Sequence, residues 1–168
     1  MASVSRVVYL VFNEGYSAHV GAVAQRGGLA AEAIRLSRLL LSLMPDEPEV
    51  MDLLALMQLH HARSAARCTA EGDLVPLEEQ DRTRWDRESF AEGAALAEAA
   101  LRLRGFGPYA LQAAIAAVHA EAAEMTATDW PQIVGLYDVL LRTEPSPVVA
   151  LNRAVAVAMR DGPEAGLR

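Results

Sequence analysis

The sequence of 168 residues contains no lysine, one cysteine and few aromatic residues. A single cysteine, Cys68, cannot form an internal disulfide, which is typical of a chain in a reducing compartment. No apolar run approaches the roughly 20 residues that cross a bilayer, and the N-terminus lacks the pattern of a secretory signal peptide. We therefore expect a cytoplasmic protein with no membrane partner.

Positive charge is also scarce. Fifteen arginines are outnumbered by 22 acidic residues, which gives a net charge of -7. Because nucleic-acid affinity comes largely from cations that neutralise phosphates, we expect no direct binding of DNA or RNA. With 52% hydrophobic residues, a chain of this length can bury a sizeable core.

Alanine and leucine dominate, and the apolar residues recur at intervals of three and four, the period of an α-helix. The sequence therefore predicts an all-α fold. A loop marked by Gly27 and Gly28 is expected before the second helix, and Asp46 is expected to cap the third. The predicted helices span about 5–18, 29–44, 46–67, 86–104, 108–124, 130–142 and 147–160, with a further start at 163.

The second half of the sequence contains an internal repeat. Two segments that begin at Leu111 and Leu151 align without gaps at a distance of 40 residues, and each follows a proline that opens a helix, Pro108 or Pro147. A more divergent copy opens at Pro48. Such a period is typical of helical solenoids and predicts a right-handed array of antiparallel helical hairpins, tetratricopeptide-like.

The domain organisation follows from this pattern. We expect one all-helical domain over 1–168, made of N-terminal helices (1–68), a charged connecting loop (69–86) and helical-hairpin repeats (87–168). Both terminal helices look incomplete, which predicts a domain excised from a longer protein. Apolar faces exposed at such ends are expected to favour a homodimer of the isolated fragment.

Several segments form an ordered set that covers nearly the whole chain. They are YLVFNEGY (9–16), LAAEAIRL (29–36), PDEPEV (45–50), LEEQDRTRWD (77–86), GPYALQAAIAA (107–117) and PVVALNRAVAV (147–157). In this order they resemble the tetratricopeptide-like C-terminal extension of bacterial extracytoplasmic-function (ECF) sigma factors.

The resemblance implies a regulatory domain that modulates transcription initiation and uses no cofactor. Its implied partners are the promoter-reading domains of the same sigma factor, the RNA polymerase core, or both. Neither promoter-reading domain is present in this sequence, so the chain alone is not expected to melt promoter DNA.

The motif at 13–16 is the most specific of these segments for the family. It puts Asn13, Glu14 and Tyr16 at the end of an apolar helix, where buried polar groups need partners. These side chains could line a pocket. Alternatively, Asn13 and Glu14 could bond neighbouring backbone or an arginine at a helix C-terminus.

Charges of opposite sign alternate over 78–87, which favours ion pairs that hold a loop against the helices. Two arginines one turn apart on the third predicted helix are expected to pair with Asp81 or Glu78. Trp85, in the same run, could anchor a partner or pack the loop onto the helices. The candidate residues of this network are Arg63, Arg67, Asp81 and Arg82.

Two functions remain open. The first is an interaction domain whose concave surface receives a peptide, another part of the sigma factor or RNA polymerase. The second is a small-ligand sensor with a pocket near Asn13, Glu14, Tyr16 and Trp85. An open groove would favour the first and a closed apolar pocket the second. The candidate residues of the concave surface are Gln112, His119, Asn152 and Arg153.

Neither a metal site nor an enzyme is predicted. The adjacent histidines His60 and His61 point about 100° apart on a helix and cannot easily share one ion. The spacing of a zinc-protease helix, with two histidines four residues apart, is missing. No glycine loop for phosphate and no nucleophile elbow is present.

Overall fold

The computed structural model describes residues 2–16, 23–103 and 107–167. Within these residues the chain forms eight α-helices and four short 3-10 helices, which confirms the all-α prediction. The α-helices are α1 (Ala2–Tyr16), α2 (Val23–Leu43), α3 (Pro48–His61), α4 (Arg87–Arg102), α5 (Pro108–Glu121), α6 (Trp130–Thr143), α7 (Pro147–Asp161) and α8 (Pro163–Gly166). The 3-10 helices are Ser64–Ala66, Leu77–Glu79, Arg82–Arg84 and Met125–Ala127.

Proline begins three of the long helices, as the sequence predicts. Pro48, Pro108 and Pro147 each occupy the first turn of a helix, where the missing N–H would have no partner in any case. The residue before α3 is Glu47, and its side chain makes no capping hydrogen bond. The prediction that Asp46 caps this helix is therefore wrong by one residue.

Two predicted boundaries in the first half are also wrong. Gly27 and Gly28 lie inside α2, which begins at Val23 rather than after them. Each glycine costs a helix about 1 kcal/mol relative to alanine, but α2 packs against both α1 and α3, and this packing outweighs the propensity. The third helix ends at His61, and a 3-10 turn replaces its predicted last residues. The predicted helix ends at 18 and 104 lie outside the described residues.

The interior consists of three apolar clusters that follow one another along the chain. The first joins α1, α2 and α3, the second joins α3, α4 and α5 with the connecting loop, and the third joins α5, α6 and α7. Helix α3 contributes to the first two, and nine of its residues are buried. The large side chains are Phe12, Leu53 and Leu54 in the first cluster, Leu56, Leu59 and Trp85 in the second, and Ile133 and Leu140 in the third.

Helices α3 and α4 approach closely at Gly93. A Cβ atom at this position would lie 2.8 Å from Leu59 Cγ and 3.1 Å from the Ala55 carbonyl oxygen. Glycine therefore lets the two backbones pack tightly where the second cluster begins.

None of the helices that the structure describes is long and apolar enough to cross a membrane.

Candidate functional site

An open groove lies between α5 and α7, with α6 beneath it. Its cavity measures about 640 Å³, and we call it the α5–α7 groove. It brings together Gln112, His119 and Asn152, three of the four residues predicted for a concave surface. The fourth, Arg153, is not part of the lining and forms an ion pair of 2.5 Å with Asp138 on α6.

The α7 side of the groove is apolar and open to solvent. Val148, Val155 and Met159 line it and remain exposed, and Val155 keeps 54% of its surface accessible. Leu151 is 65% exposed on the same helix but is not part of the lining. The groove therefore combines an apolar wall with the amide side chains of Gln112 and Asn152.

His119 forms part of the floor beside α6. Its ring meets the Trp130 ring edge to face at 5.4 Å between centroids, and its Nδ1 is buried without a hydrogen-bond partner. Burial, reinforced by the positive charges of Arg63 and Arg82, lowers the pKa of His119 to about 4. The ring is therefore neutral at neutral pH, and it offers a hydrogen bond rather than a charge.

Trp85 fastens the connecting loop to the helices and is only 3% exposed. The guanidinium carbons of Arg63 and Arg82 lie 5.6 Å and 4.7 Å from the centroid of its ring, and Phe90 packs at 5.3 Å. Of the two roles predicted for Trp85, the structure shows the loop-packing one. A buried ring is not a surface that a partner can contact.

Arg82 ties the same loop to the C-terminal end of α5. Its Nη1 donates to the carbonyl oxygens of His119 at 2.8 Å and Ala122 at 2.5 Å. Carbonyl groups at a helix C-terminus carry partial negative charge and lack partners within the helix. The guanidinium therefore replaces the missing hydrogen bonds of α5.

The predicted ion pairs of Arg63 and Arg67 with Asp81 or Glu78 are not formed. Asp81 instead accepts hydrogen bonds from the backbone N–H and the hydroxyl of Thr83, so it caps its own 3-10 turn. Arg63 donates to the amide oxygen of Gln80 at 3.3 Å. Because Asp81 caps its own turn, it does not pair with Arg63 or Arg67 as the charge pattern suggested.

Residues of the motif at 13–16 contact other residues of the fold. Arg67 donates to the Tyr16 carbonyl oxygen at 3.0 Å, and its guanidinium carbon lies 3.6 Å from the centroid of the Tyr16 ring. Asn13 shares a side-chain hydrogen bond with Tyr9, whereas Glu14 is exposed. An arginine thus binds the end of α1, but through Tyr16, whereas the sequence analysis expected Asn13 and Glu14 to bond backbone or an arginine there. Neither of the two cavities described here is lined by this motif or by Trp85.

A second cavity of about 480 Å³ joins the groove between α1, α3 and α5. We call it the acidic cavity, because four carboxylates and a single arginine line it. Both cavities are lined by Tyr9, Gln112 and Glu144, so they lie side by side. The charged residues of the acidic cavity are Arg6, Glu47, Glu49, Asp52 and Glu144.

Asp52 is the unusual residue of the acidic cavity. It is 1% exposed, and its Oδ1 has no hydrogen-bond partner. Burial, with a smaller contribution from the charge of Glu49, raises the pKa of Asp52 to about 7. The sequence analysis missed this residue, although an aspartate within the apolar run of 50–57 was a signal that could have identified it.

In the described part of the chain, no three histidine, cysteine, aspartate or glutamate side chains are grouped so that they could hold a metal ion. The other walls of the acidic cavity are the rings of Tyr9, Pro108 and Tyr109 and the side chain of Leu10.

Fold and site together define an all-helical domain with an open groove and an adjoining acidic cavity. The chain belongs to a family of unknown function, DUF6596, which matches residues 1–101. It is 54% identical over 167 residues to the uncharacterized protein R00370 of Rhizobium meliloti (strain 1021). The match covers 99% of this chain and 40% of that protein, so the chain spans two fifths of the relative's length. No solved structure matches the chain.

Proposed function

We propose that the chain is the C-terminal regulatory and protein-interaction domain of a bacterial ECF sigma factor, and that it modulates transcription initiation. Its α5–α7 groove would receive a segment of the promoter-reading domains or of the RNA polymerase core. The observation that carries the proposal is the groove itself, which gathers Gln112, His119 and Asn152 beside an exposed apolar wall.

The order of helix contacts supports a tetratricopeptide-like arrangement. Each α-helix packs against the next one along the chain, and α3 also packs against α1 and α5. Prolines begin α3, α5 and α7, and the 39 residues from Pro108 to Pro147 are close to the 40-residue spacing of the repeat. An array of this kind lines a concave face with the first helix of each hairpin, and such faces bind peptides.

The chemistry of the groove suits a polypeptide segment. An exposed apolar face of this kind marks an interaction site when polar groups surround it. Val155 and its neighbours on α7 would cover apolar side chains of the partner, while the amides of Gln112 and Asn152 could pair with its backbone. The groove is open to solvent along its α7 wall, at Val148, Val155 and Met159, which favours a segment over a small ligand.

The experiment compares two substitutions on α7. Val155→Asp puts a charge on the groove wall, whereas Leu151→Asp puts the same charge on an exposed position outside the lining. The purified chain is immobilised, and its binding of two partners is measured by interferometry. The partners are core RNA polymerase and the promoter-reading domains of ECF sigma factors, both from the bacterium that encodes the chain. Circular dichroism confirms that both variants are folded.

We expect at least one of the two partners to bind. Val155→Asp should weaken this binding by about tenfold or more, because burying an unpaired charge costs more than 1.4 kcal/mol. Leu151→Asp should change it less than about twofold. Failure of both partners to bind, or equal affinities for the two variants, would refute the proposal.

A further inference from the structure

The acidic cavity has an excess of negative charge that its own residues do not neutralise. Glu47, Glu49, Asp52 and Glu144 line it together with only one cation, Arg6. Carboxylates brought together in one cavity repel each other, and this repulsion weakens the fold unless a positive group compensates it. A cationic ligand would relieve this cost.

Asp52 gives this cavity a specific point of attachment. A carboxylate removed from water loses several kcal/mol of hydration free energy unless it is paired or hydrogen-bonded. The Oδ1 of Asp52 is buried with no partner, while the residue lines the cavity. A donor from outside the chain would reach this acceptor after the Asp52 side chain rotates toward the cavity that the residue lines.

The shape and the aromatic walls favour one class of cation. The cavity measures about 480 Å³, which leaves room for a whole side chain. Tyr9 and Tyr109 stand edge to face beside it, with ring centroids 5.4 Å apart. A guanidinium is planar, stacks on aromatic rings and donates up to five hydrogen bonds to carboxylates, whereas an ammonium is a compact and strongly hydrated charge.

We propose that the acidic cavity binds the guanidinium of an arginine side chain that a partner polypeptide inserts beside the α5–α7 groove. The cavity and the groove share Tyr9, Gln112 and Glu144, so a segment lying in the groove can place one side chain in the cavity. The identity of the partner rests on the proposed function. The preference for a guanidinium does not, and it can be measured without any partner protein.

The test uses small blocked amino acids and the full chain at physiological salt. N-acetyl-arginine methylamide is titrated into the protein at pH 8, and chemical shifts of the backbone amides are followed by NMR. The blocked derivatives of citrulline, which has the same shape without the charge, and of lysine are titrated in the same way. N-propylguanidine, a monocation like blocked arginine, serves as a guanidinium that carries no peptide backbone.

Two variants separate the cavity from the general charge of the protein. Asp52→Asn removes the buried carboxylate with little change in shape. Glu98→Gln removes one negative charge from an exposed ion pair with Arg102 on α4. Circular dichroism confirms that each variant is folded, and thermal unfolding shows whether Asp52→Asn retains the stability of the native chain.

We expect blocked arginine to bind, blocked citrulline to bind at least about tenfold more weakly, and blocked lysine to fall between them. Asp52→Asn should weaken arginine binding by about tenfold or more, and Glu98→Gln by less than about twofold. Equal binding of arginine and citrulline, or equal affinities of the two variants, would overturn the proposal. N-propylguanidine binding much tighter than blocked arginine would show that a free guanidinium compound, and not a polypeptide, is the ligand.

The two proposals can fail separately. Loss of partner binding with intact arginine binding would refute the sigma-factor assignment alone. Binding of a sigma-factor partner by a chain that ignores blocked arginine would refute only the assignment of the cavity.

Discussion

The stability of the protein should depend on pH in a way that identifies Asp52. Its folded pKa of about 7 lies well above the ordinary value of 3.8, so the folded state binds the proton more tightly than the unfolded state. Stability contributed by this group is fully present below pH 3.8 and is lost as the pH rises to about 7. The perturbation that isolates the effect is Asp52→Asn, which cannot ionise.

The size of the effect follows from the shift in pKa. A change from 3.8 to about 7 corresponds to at most about 4 kcal/mol at alkaline pH. Asp52 is 1% exposed, so solvent screens little of this. About 1.5 kcal/mol of the loss occurs below pH 5, so the advantage of Asp52→Asn over the native chain should grow by about 2–3 kcal/mol between pH 5 and pH 8.

Comparison with the variant is necessary because the histidines act in the opposite direction. Burial lowers the pKa of His60 to about 3 and that of His119 to about 4, in each case with help from nearby arginines. Their contribution is present above pH 6.5 and is lost as the pH falls. Both proteins contain these histidines, so their contribution cancels when the unfolding free energy of one protein is subtracted from that of the other.

The assay is urea unfolding of both proteins at pH 5, 6, 7 and 8, followed by circular dichroism. Glu98→Gln, which removes an exposed carboxylate, is the control for the change in net charge. The reasoning about Asp52 would be refuted if the difference in unfolding free energy between Asp52→Asn and the native chain were the same at pH 5 and pH 8, or smaller at pH 8.

Two further predictions concern packing and the connecting loop. Gly93→Ala should destabilise the protein by about 1–2 kcal/mol, because the added methyl meets α3 and overpacking outweighs the gain in helix propensity. Gly135→Ala on α6 should stabilise the protein by about 0.5–1 kcal/mol, because a Cβ there meets nothing within 4 Å. Both variants are measured by the same urea unfolding assay. A destabilised Gly135→Ala or an unaffected Gly93→Ala would contradict this reasoning. Arg82→Lys should cost about 1–3 kcal/mol, since lysine cannot reproduce both hydrogen bonds to the end of α5. The exposed Arg84→Lys should stay within about 0.5 kcal/mol of the native value, and similar values for these two variants would show that the loop is not held as described.

The sequence was sufficient for the elements that local chemistry determines. Prolines at 48, 108 and 147 and the Asp86 carboxylate, which accepts from the N–H groups of Glu88 and Ser89, mark helix starts regardless of the surroundings. The glycines at 27 and 28 were misleading because packing against other helices, which no local pattern records, keeps α2 continuous.

The candidate site was only partly predictable for the same reason. Gln112, His119 and Asn152 could be placed on one surface, because a repeat puts equivalent residues on equivalent faces. The acidic cavity could not be predicted, since Asp52, Arg6 and Tyr109 come from three different helices. The partners of Arg63 and Arg67 could not be predicted either. Asp81 caps its own 3-10 turn instead of pairing with them, and the charge pattern does not show which of these two contacts forms.

The burial of α3 on nearly all sides also determines where the chain can be truncated. One face of this helix, with Leu53, Leu54 and Met57, serves the first apolar cluster. Another face, with Ala55, Leu56 and Leu59, serves the second, which is completed by Ala113 of α5. A fragment cut after residue 101, where the family match ends, would leave Leu56 and Leu59 partly uncovered. The smallest unit that melts in a single step should therefore extend through α5, so truncations for crystallisation or two-hybrid work should retain α5 or fall within a later repeat.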